Sequence, residues 1–267
     1  MFSLNWRSEY YKTFAFFYRN VLITKRNVFT IFETLFWPLV TLFAVGLMGS
    51  YLELTQDLLV FILIGAITLS VMQLAQLDVT YVLLFDIWSK SIKYTLSTPT
   101  SLFNMVVGSW MVGVLRGLVA FLILLVFSNM LFDLNLLEMP LHSLIIFLVG
   151  IFINAMLIGM TATILLLMFG HRAEVAAWTL TAIIMLVCGL YYPVTILPPE
   201  VQVVSYAIPV THFLEYFRSF YGFTPTFTYP HLIGYLLNGI YALLAAAIHS
   251  MVIRRARRTG SILQLSE

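Results

Sequence analysis

Charge is scarce in this 267-residue sequence: 14 Lys or Arg and 12 Asp or Glu together make up 10% of it. A soluble domain carries about a quarter of its residues as Asp, Glu, Lys or Arg. The shortage excludes a soluble enzyme, a disordered chain and a nucleic-acid binder that works from a basic surface. Lysine is limited to Lys12, Lys25, Lys90 and Lys93, and no glycine-rich phosphate loop accompanies any of them. Cysteine occurs once, at Cys188 in an apolar run, which excludes an intramolecular disulfide and a cysteine-based metal cluster. Neither a G-x-S-x-G elbow nor a helical two-histidine zinc motif is present. His212 and Glu215 are spaced to share a helix face, but two groups are too few for a metal site. The N-terminus places a charge every few residues, unlike a secretory signal peptide.

What the sequence has instead is apolar length. Hydrophobic residues make up 61% of the chain, and about 20 in a row suffice to cross a bilayer as a helix. Six such spans are predicted: Leu35–Tyr51, Leu58–Leu84, Leu102–Phe127, Leu144–Phe169, Val175–Tyr191 and Leu232–Ile253. With the N-terminus inside, the inner segments hold 12 of the 14 basic residues, and the outer ones hold Glu53, Asp57, Asp133, Glu138, Glu200 and Glu215. That asymmetry predicts cytoplasmic termini. The expected fold is an all-α polytopic membrane protein, one domain over residues 1–267. It divides into a cytoplasmic segment at 1–33, a six-span bundle at 34–253 and a cytoplasmic tail at 254–267.

Three segments depart from simple spans and loops. Trp6, Tyr10, Phe14, Phe17 and Tyr18 recur at steps of three and four, which predicts a basic amphipathic helix lying at the inner membrane surface. Packing against the protein's own inner end is compatible with that. Tyr192 to Pro230 is long, apolar and proline-punctuated. It predicts two short helices, at Pro199–Tyr206 and Thr211–Phe220, arranged as a re-entrant outer hairpin between spans five and six. Within it Glu215 and Arg218, three apart, are placed to pair. Asp86–Leu96, between spans two and three, predicts a short inner helix with Trp88, Ile92 and Leu96 on one side and Lys90 and Lys93 elsewhere.

Polar residues at membrane depth face protein or water rather than lipid. Arg116 falls about 22 Å along its span and Asp78 only ~9 Å from the inner end of the neighbouring one, at 1.5 Å per residue. The mismatch argues against their pairing and sends Arg116 toward a carbonyl, an outer acid or the re-entrant hairpin. Asp78 reads as a structural hydrogen-bonding group or as a proton relay. Glu33, at the inner mouth of span one, is within sequence reach of Lys25 and Arg26.

The whole pattern resembles the membrane subunit of bacterial and archaeal ABC-2 type transporters. The most specific local matches are KYTLSTPTSL at Lys93–Leu102 and the stretch Tyr191–Arg218, with Tyr-Pro, Leu-Pro-Pro, Ile-Pro-Val-Thr and Glu-x-x-Arg. The resemblance implies an exporter subunit of the cytoplasmic membrane, without catalytic, cofactor or metal residues of its own. It implies two nucleotide-binding partner chains carrying ATP and Mg, a second copy of this chain or a close relative, membrane lipids and no nucleic acid. Asp86, Trp88, Lys90, Ile92, Lys93 and Leu96 would couple to the ATPase. Arg116, Tyr192, Pro193, His212, Glu215 and Arg218 are candidates for the pathway or its outer gate, and spans one, two and five for the central route. The implied cargo is an amphiphile, a lipid-linked glycan or polysaccharide, or a drug. An ion-coupled secondary transporter, an integral membrane enzyme and a purely structural membrane partner remain the alternatives.

Overall fold

The computed structural model describes residues 6–136 and 139–259, with side chains at all of these except 96, 171 and 256–259. Among the described residues the regular structure is helical throughout. Glu138 and the side chains of Arg257 and Arg258 lie outside this description.

Four of the long helices, those opening at Asn27, Ser101, Pro140 and Pro230, start at a signal carried by the sequence. Helix α1 (Trp6–Arg26) gives way to α2 (Val28–Tyr51) at Asn27, an extended residue whose side chain accepts the Phe29 N–H. Helix α3 (Gln56–Trp88) is apolar all round and accordingly occupies the centre, packed on by its neighbours α2, α5 and α6. Helix α4 (Ile92–Ser97) ends at Thr98–Pro99, and Ser101 then opens α5 (Leu102–Phe132) through a reciprocal cap with Asn104. This is the stop and restart that Thr98–Ser101 predicts. Helices α6 (Leu141–Phe169) and α10 (Pro230–Thr259) begin at Pro140 and Pro230, where a missing N–H costs nothing.

Five of these helices, α2, α3, α5, α6 and α10, are long and apolar enough to cross a membrane. The fifth predicted span is the exception. Its helix, α7, covers only Ala176–Val187, a rise of ~18 Å against a hydrocarbon core of about 30 Å. Gly189 at φ +67° turns the chain out of helical geometry, and Pro193 prevents its return. The chain continues through buried non-helical backbone at Cys188 and Leu190.

The predicted short helices after it are present with slightly shifted ends, α8 at Pro199–Ala207 and α9 at Pro209–Arg218. A single extended residue, Ile208, separates them because Pro209 disfavours helical geometry in the residue before it. Every residue of α9 except Glu215 is buried. Phe213 wedges between Gly150 of α6 and Gly234 of α10, and Phe217 stacks on Phe147 at 4.2 Å. Small residues on the long helices therefore make room for the aromatic side chains of this short one.

Helix α1 lies along the start of α5. Asn104 donates to Thr13 Oγ1 at 3.0 Å and Asn20 to Ser109 Oγ at 2.6 Å, while Phe16 is buried beneath. The aromatic stripe turns away from this seam: Trp6 is 82% exposed, and Tyr10, Phe14 and Tyr18 are exposed with it. Phe17 is half-buried.

Candidate functional site

Three sites stand along α3, one near each end and one between. Near its start, the last residue of α9 reaches back. Arg218 is 5% exposed and donates to the Gly189 carbonyl at 2.7 Å, the Leu190 carbonyl at 2.6 Å and the Phe61 carbonyl at 2.9 Å. Its guanidinium lies 3.4 Å from the centre of the Phe61 ring. The planar fork thus satisfies the Gly189 and Leu190 carbonyls, which leaving the helix at Val187 had stripped of partners, and ties them to α3 at the Phe61 carbonyl with its charge stacked on an aromatic face. Gly65 permits the approach, since a methyl group there would land on the Leu190 carbonyl.

The predicted Glu215–Arg218 pair is not formed. Glu215 instead accepts from the Thr226 hydroxyl at 2.7 Å and its N–H at 3.2 Å. The carbonyls lie on the buried side of α9 and the loop hydroxyl on its open side, so the two side chains part. His212 holds the Tyr206 carbonyl at 2.8 Å and, among the described residues, does not meet a third ligand with Glu215. Tyr192 donates to the Leu186 carbonyl, and Pro193 precedes a single turn at Val194–Ile196. Pro193, Glu215 and Arg218 line a cavity of about 290 Å³ together with Phe61, Cys188 and Thr226.

Arg116 belongs elsewhere. It is ion-paired with Asp78 and donates through Nε to Thr34 Oγ1 at 2.8 Å and through Nη2 to the Thr30 carbonyl at 3.3 Å. This corrects the prediction that the pair is out of reach; of the partners predicted for Arg116, a backbone carbonyl is met, at Thr30, and the outer hairpin is not. Gly113 packs on Ala75 and Gly117 approaches the Val71 carbonyl, a register that leaves an axial offset of ~9 Å between the two residues. The Cα–Cβ bonds of a helix tilt toward its N-terminus. In the antiparallel pair α3 and α5, the Asp78 and Arg116 side chains therefore lean toward each other and close the gap. Helix α3 also runs past Leu84 to Trp88, so Asp78 stands farther from the inner end of its helix than the predicted span end implied.

Beside this pair opens a cavity of about 430 Å³ walled by α2, α3, α5 and α7. Glu33, Trp37, Gln73, Tyr81, Arg116 and Trp178 are on its lining. Glu33 reaches neither Lys25 nor Arg26 in an ion pair among the described residues. Gln76, fully buried, ties two walls together by donating to the Ala177 carbonyl at 3.2 Å and accepting from Thr181 at 3.0 Å.

At the far end of α3 the predicted helix Asp86–Leu96 divides. Asp86 to Trp88 finish α3, Lys90 takes φ +55° in the turn, and α4 begins at Ile92. Asp86 is buried and ion-paired with Arg19 of α1 at 2.8 Å, and Ile92 is fully buried. Trp88, Lys90, Lys93 and Tyr94 are exposed. The Leu96 side chain lies outside the described ones. Buried anchors thus hold a basic, aromatic surface segment rigidly to α1 and α3.

Sequence reasoning missed three of these participants. Arg19 stands on the polar side of the α1 stripe, where an acid near the next inner turn was a signal. The Gly-Leu-Tyr-Tyr-Pro run at 189–193 signalled broken backbone in need of donors. Pro38, one turn after Thr34, marked a special place in α2.

The model of the ABC-2 type transporter family matches residues 11–221. An uncharacterized protein of Archaeoglobus fulgidus is 54% identical over 44 residues, covering 16% of this chain and 69% of that protein. Members of the family are membrane subunits that work with separate nucleotide-binding subunits. With its apolar helices, its helix-linking turn at residues 89–91 and a match spanning α1 to α9, this chain belongs to the ABC-2 type transporter family as a multi-pass permease subunit.

Proposed function

We propose that the chain is the membrane half of an ATP-driven exporter for an amphiphile, whether a lipid-linked glycan or polysaccharide or a drug, in a bacterial or archaeal cytoplasmic membrane. Two ATPase subunits carrying ATP and Mg dock at Trp88, Lys90 and Lys93, and a second copy of the chain completes the route. Helix α1 lies in the inner interface with Trp6, Tyr10, Phe14, Phe17 and Tyr18 toward lipid. Helix α7 and the buried backbone after it make the sixth crossing, α8 and α9 form the re-entrant outer hairpin, and both termini are cytoplasmic.

The observation that supports this reading best is the continuity of α3. One 33-residue helix carries Asp86 at the docking segment, Gln73 at the cavity and Phe61 at the Arg218 site. A push on Trp88–Ser97 is received by Asp86 and Ile92 and carried along a rigid rod to the outer closure. Irregular backbone at membrane depth is tolerated only inside protein or beside a water-filled cavity, so the segment at 188–194 suits a closure rather than a lipid-facing wall.

The test is purification of the native complex. An ATPase should remain bound, and Lys90→Glu with Lys93→Glu should release it or abolish stimulation of its turnover. Arg19→Ala should leave the ATPase bound while lowering stimulated turnover several-fold. A stable preparation that transports with no ATPase present would overturn the reading.

A further inference from the structure

The cavity beside Arg116 has a charge balance that its lining makes explicit. Arg116 is neutralised by Asp78 and donates further to Thr34 Oγ1 and the Thr30 carbonyl. Glu33 is exposed at the rim and has no salt-bridge partner among the described residues. The lining therefore carries one unmatched negative charge. Pro38, on the same wall, has no N–H to give the Thr34 carbonyl, which adds an acceptor without its helical donor. Trp37, Tyr81 and Trp178 supply aromatic rings, whose negative faces attract cations. Gln73 supplies an amide, and Leu74 and Leu77 an apolar floor.

We propose that this cavity binds an organic cation, an ammonium or similarly compact charge on an apolar body, with Glu33 as its counter-charge. The inference rests on the permease reading only for its role in transport. A volume of about 430 Å³ falls in the range of sites for single small ligands, so the cavity holds one head group and not a folded glycan. A phosphate or sulfate head would face Glu33 and is disfavoured. A metal ion finds no group of three His, Cys, Asp or Glu among the described residues. Two sources carry the favoured chemistry, a soluble amphiphilic cation and the amine of a phospholipid head group.

The experiment is equilibrium dialysis of radiolabelled tetraphenylphosphonium against the full chain in dodecyl maltoside, an uncharged detergent. Saturable binding is expected, weakened at least tenfold by Glu33→Gln and restored in part by Glu33→Asp. Trp178→Ala should weaken it several-fold. Neutral triphenylphosphine oxide should not displace the probe. Binding unchanged in Glu33→Gln, or equal displacement by the neutral analogue, would overturn the proposal. Doping the micelles with phosphatidylethanolamine separates the sources. Displacement assigns the lipid amine and its absence a soluble cation, and both support cation recognition at Glu33. Displacement as strong by phosphatidylglycerol would count against it. Dialysis needs no ATPase, so its failure leaves the permease reading intact, and loss of the ATPase partner leaves the dialysis result intact.

Discussion

Two arginines are held among the packed helices of this chain, and their environments solve the same problem differently. Arg116 meets a carboxylate; Arg218 meets three backbone carbonyls and a ring. A carboxylate matches charge with charge, and its loss or gain is a matter of two side chains. Carbonyls match only hydrogen bonds, and they belong to a chain that needs donors whatever its side chains are. The Arg116 site is thus an electrostatic clasp among α2, α3 and α5, whereas the Arg218 site repairs a break in backbone structure. The first is replaceable by apolar packing in principle; the second is not.

The sharpest way to break this comparison is at Arg218. Arg218→Ala leaves the buried Gly189 and Leu190 carbonyls without donors, and at ~1–3 kcal/mol each the loss is roughly 4 kcal/mol. Cys188, buried beside them, is the single thiol in the chain and reports directly. Its alkylation should accelerate at least tenfold in Arg218→Ala. Arg218→Lys should fall between, since an ammonium keeps the charge but loses the planar fork. Gly65→Ala should match Arg218→Ala, because its methyl group displaces the Leu190 carbonyl while leaving every donor in place. Unchanged thiol reactivity in both Arg218→Ala and Gly65→Ala would refute the repair role.

The Arg116 site should respond differently. Asp78→Asn strands a buried guanidinium, a loss of about 3 kcal/mol in detergent unfolding. The double variant Asp78→Leu with Arg116→Met removes both charges and should recover to within ~1 kcal/mol of the parent. A double-mutant cycle measures this directly. If the double variant were as unstable as the sum of the singles, the clasp would be doing what the Arg218 site does, and the distinction would collapse. No second substitution is expected to rescue Arg218→Ala in the same way.

The two sites were also unequally legible in the sequence. The apolar lengths, the stop at Thr98–Pro99 and the proline-started helices α8 and α9 follow from local rules, and the structure keeps them. The helix of predicted span five stops at Val187 rather than at Tyr191, because composition does not distinguish a helix from buried irregular backbone and only Gly189 and Pro193 carry the difference. The Arg116–Asp78 pair was rejected by arithmetic on Cα positions, which omits the lean of side chains toward helix N-termini. Arg218 was given to Glu215 because spacing of three reports shared face, not which partner has the greater need. Carbonyls have no letter in a sequence, so a site built from them stays hidden until the backbone is traced.

The smallest expected effect sharpens the same contrast at the surface, where water supplies what carbonyls and carboxylates supply inside. Glu9 accepts from Lys12 at 2.6 Å and from Asn104 at 3.1 Å, joining α1 to the start of α5. The Lys12 hydrogen bond foremost, and then that from Asn104, hold the Glu9 carboxyl below its ordinary value of 4.5. A carboxylate depressed on folding stabilises the seam fully above its unfolded pKa, and that contribution fades as pH falls through the lower folded value. The α1–α5 seam should therefore be insensitive to pH above the ordinary Glu9 value of 4.5 and loosen only as pH falls below it. Spin labels at the exposed Tyr10 and Phe103 positions would register this as a broadened distance distribution on acidification. Glu9→Gln should flatten that response, and its effect at neutral pH should be slight because exposed pairs contribute little. A large loosening of the seam in Glu9→Gln at neutral pH would mean that this surface carboxylate behaves as the buried ones do, and that burial is not what separates the clasp from the rim.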